Sequence, residues 1–394
     1  MQNSAGPSLR VSSAIESASS TAQVDEKLER SKQRSIPAGV GGAGSRGQTS
    51  DYLFVNNVRF LAMVSIVWVH SIGFGGGATR NSTLHLQLGA AQMMKFGTIG
   101  FFLISGYLLG EGLTRTGRTK YFYRRVKAVL VPWIFWSCVW FVFAIFLNPL
   151  IGGGLKFSLH ELAQKYVKFV FFQSIYWFVP NFFLCLALIL ALYKRVPDSV
   201  QGAMFGACSL FYGVNVYLRV VPAEHTSALF GFVFYLWLGQ MAYKYRDAWG
   251  RWLGNISWTR LSIYTGAAAM LTLAEIHVVR GLHTGEEFNT LRLSNQVFSV
   301  AVVMLIVKCK TALFPRAIDV RAETFGIFLI HPILLQIFIA VRDRVPDTTM
   351  SRIRGNGVVL ISLGLATFGT IYLLSLLLTK VLRRVPYLKW TIGR

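Results

Sequence analysis

Arg59 and His70 stand eleven residues apart in the apolar run NNVRFLAMVSIVWVHS. At about 100° and 1.5 Å per residue, that is three helical turns plus about 20° and a rise of roughly 16 Å. Guanidinium and imidazole then share one stripe of a single helix. Such spacing suits a long ligand with its anionic end at the Arg and its reactive end near the His. A buried Arg bonded to helix carbonyls and a buried His donating to a neighbour would explain the same residues.

Other chemistry-bearing residues are few. GTIGFFLISGYLLG carries Ser105 and Gly106 in an apolar setting, where small residues pack helices together. No G-x-S-x-G elbow surrounds Ser105, so a Ser-His-Asp hydrolase is not signalled. In YFYRRVKAVLVPW, Arg124, Arg125 and Lys127 precede Pro132. They could hold phosphate or act only as charges that set topology. Glu275, His277 and His331 lie in later apolar runs. Glu275 could bind a substrate or pair with a loop Arg such as Arg280. His331, beside Pro332, could orient a partner or bridge a kinked helix. Lys95 and Glu111 fall near span ends and can snorkel. His85, His160, His225 and His283 read as solvated. Cys138, Cys185, Cys208 and Cys309 show no C-x-x-C spacing and read as packing residues, so no metal site is expected.

The elements that must position these groups follow from composition. The 394 residues are 53% apolar and only 14% charged, where a soluble domain carries about 25% charge. A soluble enzyme, a disordered chain and a disulfide scaffold are excluded. The fold class is an all-α polytopic membrane protein. Residues 1–50 hold eleven Ser, six Gly and no aromatic residue, which predicts a disordered tail and no signal peptide. Apolar spans follow at 53–73, 93–110, 128–149, 176–193, 200–218, 226–243, 261–278, 294–308, 324–341 and 356–380. Ten transmembrane helices are therefore expected. Leu159, Leu162, Ala163, Tyr166 and Val170 recur at helical spacing opposite Glu161, Lys165 and Lys168, the pattern of an interfacial amphipathic helix.

The net charge of +23 would suggest nucleic acid in a soluble protein. Distributed over ten spans, 27 Lys and Arg fall on the side of the N-terminal tail and 11 on the other. That is the positive-inside bias, with both termini cytoplasmic and no nucleic-acid partner.

The order of these pieces resembles the acyltransferase 3 family of integral membrane O-acyltransferases. The family has an Arg and a His with ten residues between them in the first helix, matched by Arg59 and His70. It continues with F-F-x-x-S-G-(Y/F), matched by Phe101, Phe102, Ser105, Gly106 and Tyr107. R-x-x-R before a proline-started helix begins at Arg125, but Ala128 stands where the second Arg is expected. Trp177-Phe178 matches a W-F pair, and Phe328 to Pro332, with His331, matches a late aromatic-x-x-H-P. The resemblance runs from about Asp51 to Arg384, in the stand-alone form without a C-terminal hydrolase-like domain.

The resemblance implies a membrane domain over 51–385, a short cytoplasmic tail over 386–394, and location in a bacterial inner membrane. It implies acyl transfer, mostly acetyl from cytoplasmic acetyl-CoA, to a hydroxyl of an exported or lipid-linked carbohydrate. His70 would be the general base, Arg59 an anion or carbonyl contact, and Arg125, with Arg124 and Lys127, the CoA phosphate contacts. Trp177 could stack on a sugar ring, with Glu275, His331 and Ser105 as further substrate contacts. The alternatives are a transporter or flippase without acyl-transfer chemistry, or an inactive scaffold.

Overall fold

Each apolar span read from the sequence falls on a helix, as it must where no water satisfies backbone N–H and C=O groups. The computed structural model describes residues 52–72, 89–147 and 158–393, and the tail over 1–50 lies outside them. Among the described residues there is no strand. The helices are α1 (Leu53–Ile72), α2 (Phe96–Arg115), α3 (Arg118–Arg125), α4 (Val131–Leu147) and α5 (Leu159–Tyr166). They continue with α6 (Phe178–Leu192), α7 (Asp198–Leu218), α8 (Val233–Lys244), α9 (Arg246–Asn255) and α10 (Trp258–Gly281). The last four are α11 (Leu293–Lys308), α12 (Val320–Arg342), α13 (Asp347–Gly355) and α14 (Gly357–Arg384).

Among the described residues, seven stretches are long and apolar enough to cross a membrane: Leu53–Ile72, Gly89–Arg115, Arg118–Phe146, Ile175–Leu192, Trp258–Gly281, Val320–Arg342 and Gly357–Arg384. The other three expected spans fall on α7, on α8 with only 12 residues, and on α11 with 16. α3 and α4 join through a π-helical turn over Val126–Leu130, so the third span starts ten residues before its apolar run. The amphipathic segment forms α5, closed by a capping box between Ser158 and Glu161. The backbone and side chain of Ser158 hold the Glu161 carboxylate below its usual range. A wide π-helical run over Val167–Gln173 follows.

The sixth expected span, 226–243, begins as turns and becomes helical only at Val233. Neighbouring helices make that irregular start tolerable. Asn181 Nδ2 donates to the Ala228 carbonyl at 2.9 Å and Ser209 Oγ to that of Gly231 at 2.6 Å. Buried backbone carbonyls without such donors would cost about 1–3 kcal/mol each.

Glycines let the central helices touch. A Cβ on Gly106 would sit 1.9 Å from the Leu236 oxygen, and one on Gly239 would sit 2.0 Å from that of Leu103. α2 and α8 thus cross backbone to backbone through this pair. On α2's other flank, a Cβ on Gly97 would meet Ser65 Oγ of α1 at 2.0 Å. The small residue of the S-G pair is there for packing, and Ser105 stands beside the crossing.

After α14, Pro386–Ile392 form a 3-10 turn whose Thr391 carbonyl accepts from Trp136 Nε1 at 2.8 Å. Thr391 and Ile392 are buried, so this segment packs on the helices.

Candidate active site

One continuous helix, α1, carries both Arg59 and His70, so the expected single stripe is realised. At its C-terminal end, His70 faces His331 of α12, with ring centroids 6.1 Å apart and planes tilted by 34°. His331 is fully buried. Its Nδ1 lies 3.0 Å from the Ile327 carbonyl oxygen. A carbonyl only accepts, so the Nδ1 proton is fixed there and Nε2 keeps its lone pair. That Nε2 is buried and has no hydrogen-bond partner among the described residues. Pro332 lies inside the same helix and cannot donate to the carbonyl one turn back, which loosens the helix where the imidazole turns to the backbone.

Aromatic rings wall this histidine pair. Phe102 stacks on Phe232 at 5.0 Å and meets Phe178 edge-on at 4.9 Å. Phe178 meets Phe328 at 5.8 Å, and Phe328 lies 6.0 Å from His331. Pieces spaced over more than two hundred positions thus form one chain of contacts. Trp177 is buried between Phe232 at 5.4 Å and His225 at 5.3 Å. Its ring belongs to the site's wall rather than to an open platform.

Beside this wall opens a cleft of about 510 Å³, lined by Lys95, Phe172, Gln173, Glu224, His225, Glu286 and neighbouring residues. His225 is therefore not a solvated loop residue, as its sequence position suggested. It packs under Trp177, where burial, helped by the Lys95 charge, lowers its pKa to about 3. It is neutral near pH 7. Burial raises the Glu286 carboxyl above its usual range, against the Asn289 amide, which donates to it at 2.8 Å. Lys95 Nζ donates to the Phe288 carbonyl.

The opposite end of α1 is basic. Arg59 makes no hydrogen bond or ion pair among the described residues, and the charges acting on it are Arg125 and Arg321. Arg125 is held by Tyr121: its Nε donates to the phenol oxygen at 2.9 Å and its guanidinium lies 5.2 Å over the ring. The acids of this end are engaged elsewhere, since Asp319 and Glu323 pair with Arg383 at 3.0 and 3.4 Å. Like charges gathered without a counter-ion are costly unless an anion joins them. Arg124 and Lys127 are exposed and are not among the charges acting on Arg59. Arg321 was legible in the sequence only as one charge in a basic loop.

Glu275 lies elsewhere. It accepts from Tyr217 and Ser294 and pairs with buried Arg292 at 3.4 Å. Arg280 instead faces Glu287 at 3.9 Å. The Glu275 network ties α10 to α7 and α11.

The family model described as "Acyltransferase domain" matches residues 52–383. The chain belongs to the acyltransferase 3 family. This acyltransferase is 24% identical over 281 residues to a probable poly-beta-1,6-N-acetyl-D-glucosamine export protein of Staphylococcus aureus strain MSSA476. It is 24% identical over 287 residues to the counterpart in strain MRSA252. Each match covers 68% of this chain and 77% of the relative. No solved structure matches the chain. Of the family-motif residues, Arg59 and Arg125 bring like charges to one end of α1. His70, Phe102, Phe178, Phe328 and His331 meet at the other. Ala128 lies in the π-helical turn, its carbonyl 2.4 Å from where a Cβ on Gly393 would be.

Proposed function

We propose that this membrane acyltransferase moves an acyl group, acetyl from acetyl-CoA, to a hydroxyl of a carbohydrate on the other side of a bacterial inner membrane. The observation carrying this reading is the division of α1: three guanidiniums with no acid paired to them among the described residues at one end, and facing histidines in an aromatic wall at the other. The donor supplies an activated thioester carbonyl and an anionic handle. Arg59, Arg125 and Arg321 would hold that handle by charge-assisted hydrogen bonds, on the cytoplasmic side. His70 would take the proton of the attacking hydroxyl, because a sugar hydroxyl is far too weak an acid to ionise unaided near pH 7. His331 would position it. The relatives' name makes an N-acetylglucosamine polymer the first acceptor to try.

The test is His70→Gln, which keeps a hydrogen bond and approximate volume but takes no proton. The purified variant should insert and bind acetyl-CoA as wild type does, while acylation falls by about 10²–10⁴-fold. Transfer above about a tenth of the wild-type rate would remove His70 from the base role. A second reading, export without acyl transfer, is favoured by the relatives' name. It requires that wild-type protein yields no labelled acyl product and that His70→Gln keeps transport.

A further inference from the structure

We propose that the cleft over His225 is the acceptor subsite and that it takes an uncharged glycosyl unit; this rests on the acyl-transfer reading above. Its volume of about 510 Å³ lies within the roughly 300–1,000 Å³ of small-molecule clefts. Its position is the first argument. Its lining residue His225 packs at 5.3 Å against Trp177, whose neighbour Phe178 leads through Phe328 to His331 and His70, so a ring seated here lies against the wall of the proposed base.

Its chemistry is the second. The π-helical run over Val167–Gln173 places Phe172 and Gln173 on one wall. Phe172 is 37% exposed, an aromatic surface suited to the C–H face of a pyranose. Gln173 and Glu224 are exposed and make no side-chain hydrogen bond among the described residues. A planar amide offers a donor and an acceptor, and a carboxylate two acceptors, to neighbouring sugar hydroxyls.

Charge is the third. The cleft's carboxylates are Glu224 and Glu286, and the cations acting on Glu286 are Lys95 and Arg219. Against these two carboxylates the lining holds one cation, Lys95, with Arg219 outside it, and His225 adds none near pH 7. A uronate would meet the two carboxylates and an ammonium would meet Lys95, so an uncharged ring avoids both repulsions. The floor is also firmly built, since Asn181 and Ser209 hold the carbonyls of the 219–232 connection.

The test uses protein reconstituted in nanodiscs. Ser227→Cys, at a lining position given no contact to the sugar, is labelled with a charged maleimide, reading the label added over wild type. Three probes are compared: a β-1,6-linked N-acetylglucosamine pentasaccharide, its de-N-acetylated form and a glucuronate oligomer. The uncharged oligomer should slow labelling several-fold and the two charged ones should not. In parallel, Phe172→Ala and Glu224→Gln should each raise the acceptor KM about tenfold, with kcat and donor KM unchanged. The proposal is overturned if the uncharged oligomer gives no protection, if a charged one protects better, or if both variants keep the wild-type acceptor KM. Should labelling be blocked while wild type acylates no glycan, the glycan subsite stands and the acyl-transfer reading falls.

Discussion

His70 and His331 face each other at 6.1 Å between ring centroids, although one lies on the first helix and the other on the twelfth. Because the Ile327 carbonyl holds His331 Nδ1 at 3.0 Å, the ring is fixed and its basic nitrogen is buried without a partner among the described residues. A buried acceptor left open costs about 1–3 kcal/mol, a cost that a site tolerates when a ligand or neighbouring proton completes it. His331→Ala should therefore lower kcat by about 10- to 100-fold and leave donor affinity unchanged. If thermal stability falls while kcat holds, His331 is a packing residue.

Arg321 should behave as the partner of Arg125. Charge-assisted contacts contribute about 1.5–3 kcal/mol each, so Arg125→Ala and Arg321→Ala should each weaken acetyl-CoA binding by roughly 10- to 100-fold. Arg124→Ala, exposed and away from Arg59, should change it less than threefold. Calorimetric titration of the purified variants decides. Equal losses at Arg124 and Arg321 would mean a diffuse basic mouth rather than a built site. Donors lacking the 3′-phosphate should show which guanidinium meets which phosphate.

The crossing of α2 and α8 leaves no room for a methyl group. Gly106→Ala puts a Cβ 1.9 Å from a backbone oxygen, and neither backbone can yield without moving a helix. Overpacking of this kind costs about 1–3 kcal/mol or more, so the variant should lose thermal stability or fail to insert. Gly266→Ala on α10 is the control. Nothing lies within 4 Å of its Cβ, and removing a helix-interior glycine contributes about 0.5–1 kcal/mol. Gly266→Ala should be neutral or stabilising in the same melting assay. The same loss in both variants would refute the close approach.

Much of the helical layout was legible because a bilayer leaves hydrophobicity with one meaning, helix. The pairing of Arg59 with His70 was equally legible, since both lie on one helix and helical geometry alone relates them. What could not be read were contacts between distant elements. Arg321, in the first turn of α12, and His225 fall in stretches that the sequence shows only as polar connections of charge or solvent. Their roles depend on where α12 begins and on how Asn181 and Ser209 hold a turn that hydropathy reads as part of a span. Glu275 misled for the same reason. Its partner is Arg292, across a connection, rather than the nearer Arg280.

The same turn bears on the topology. α8 has 12 residues, about 18 Å of helix, well short of the roughly 30 Å hydrocarbon core. The segment over 226–232 completes the crossing only if its carbonyls are met by protein, and Asn181, Ser209 and their neighbours supply such donors. The distribution of 27 basic residues against 11 also depends on this crossing, because omitting it would invert each later loop. Reporter fusions after Glu224 should therefore read extracytoplasmic, and those after Tyr245 and after Arg384 cytoplasmic. Asn181→Ala should leave that pattern in place but lower thermal stability by uncovering the Ala228 carbonyl. A fusion after Tyr245 that reads extracytoplasmic would show that α8 does not cross, and the ten-helix arrangement would fall with it.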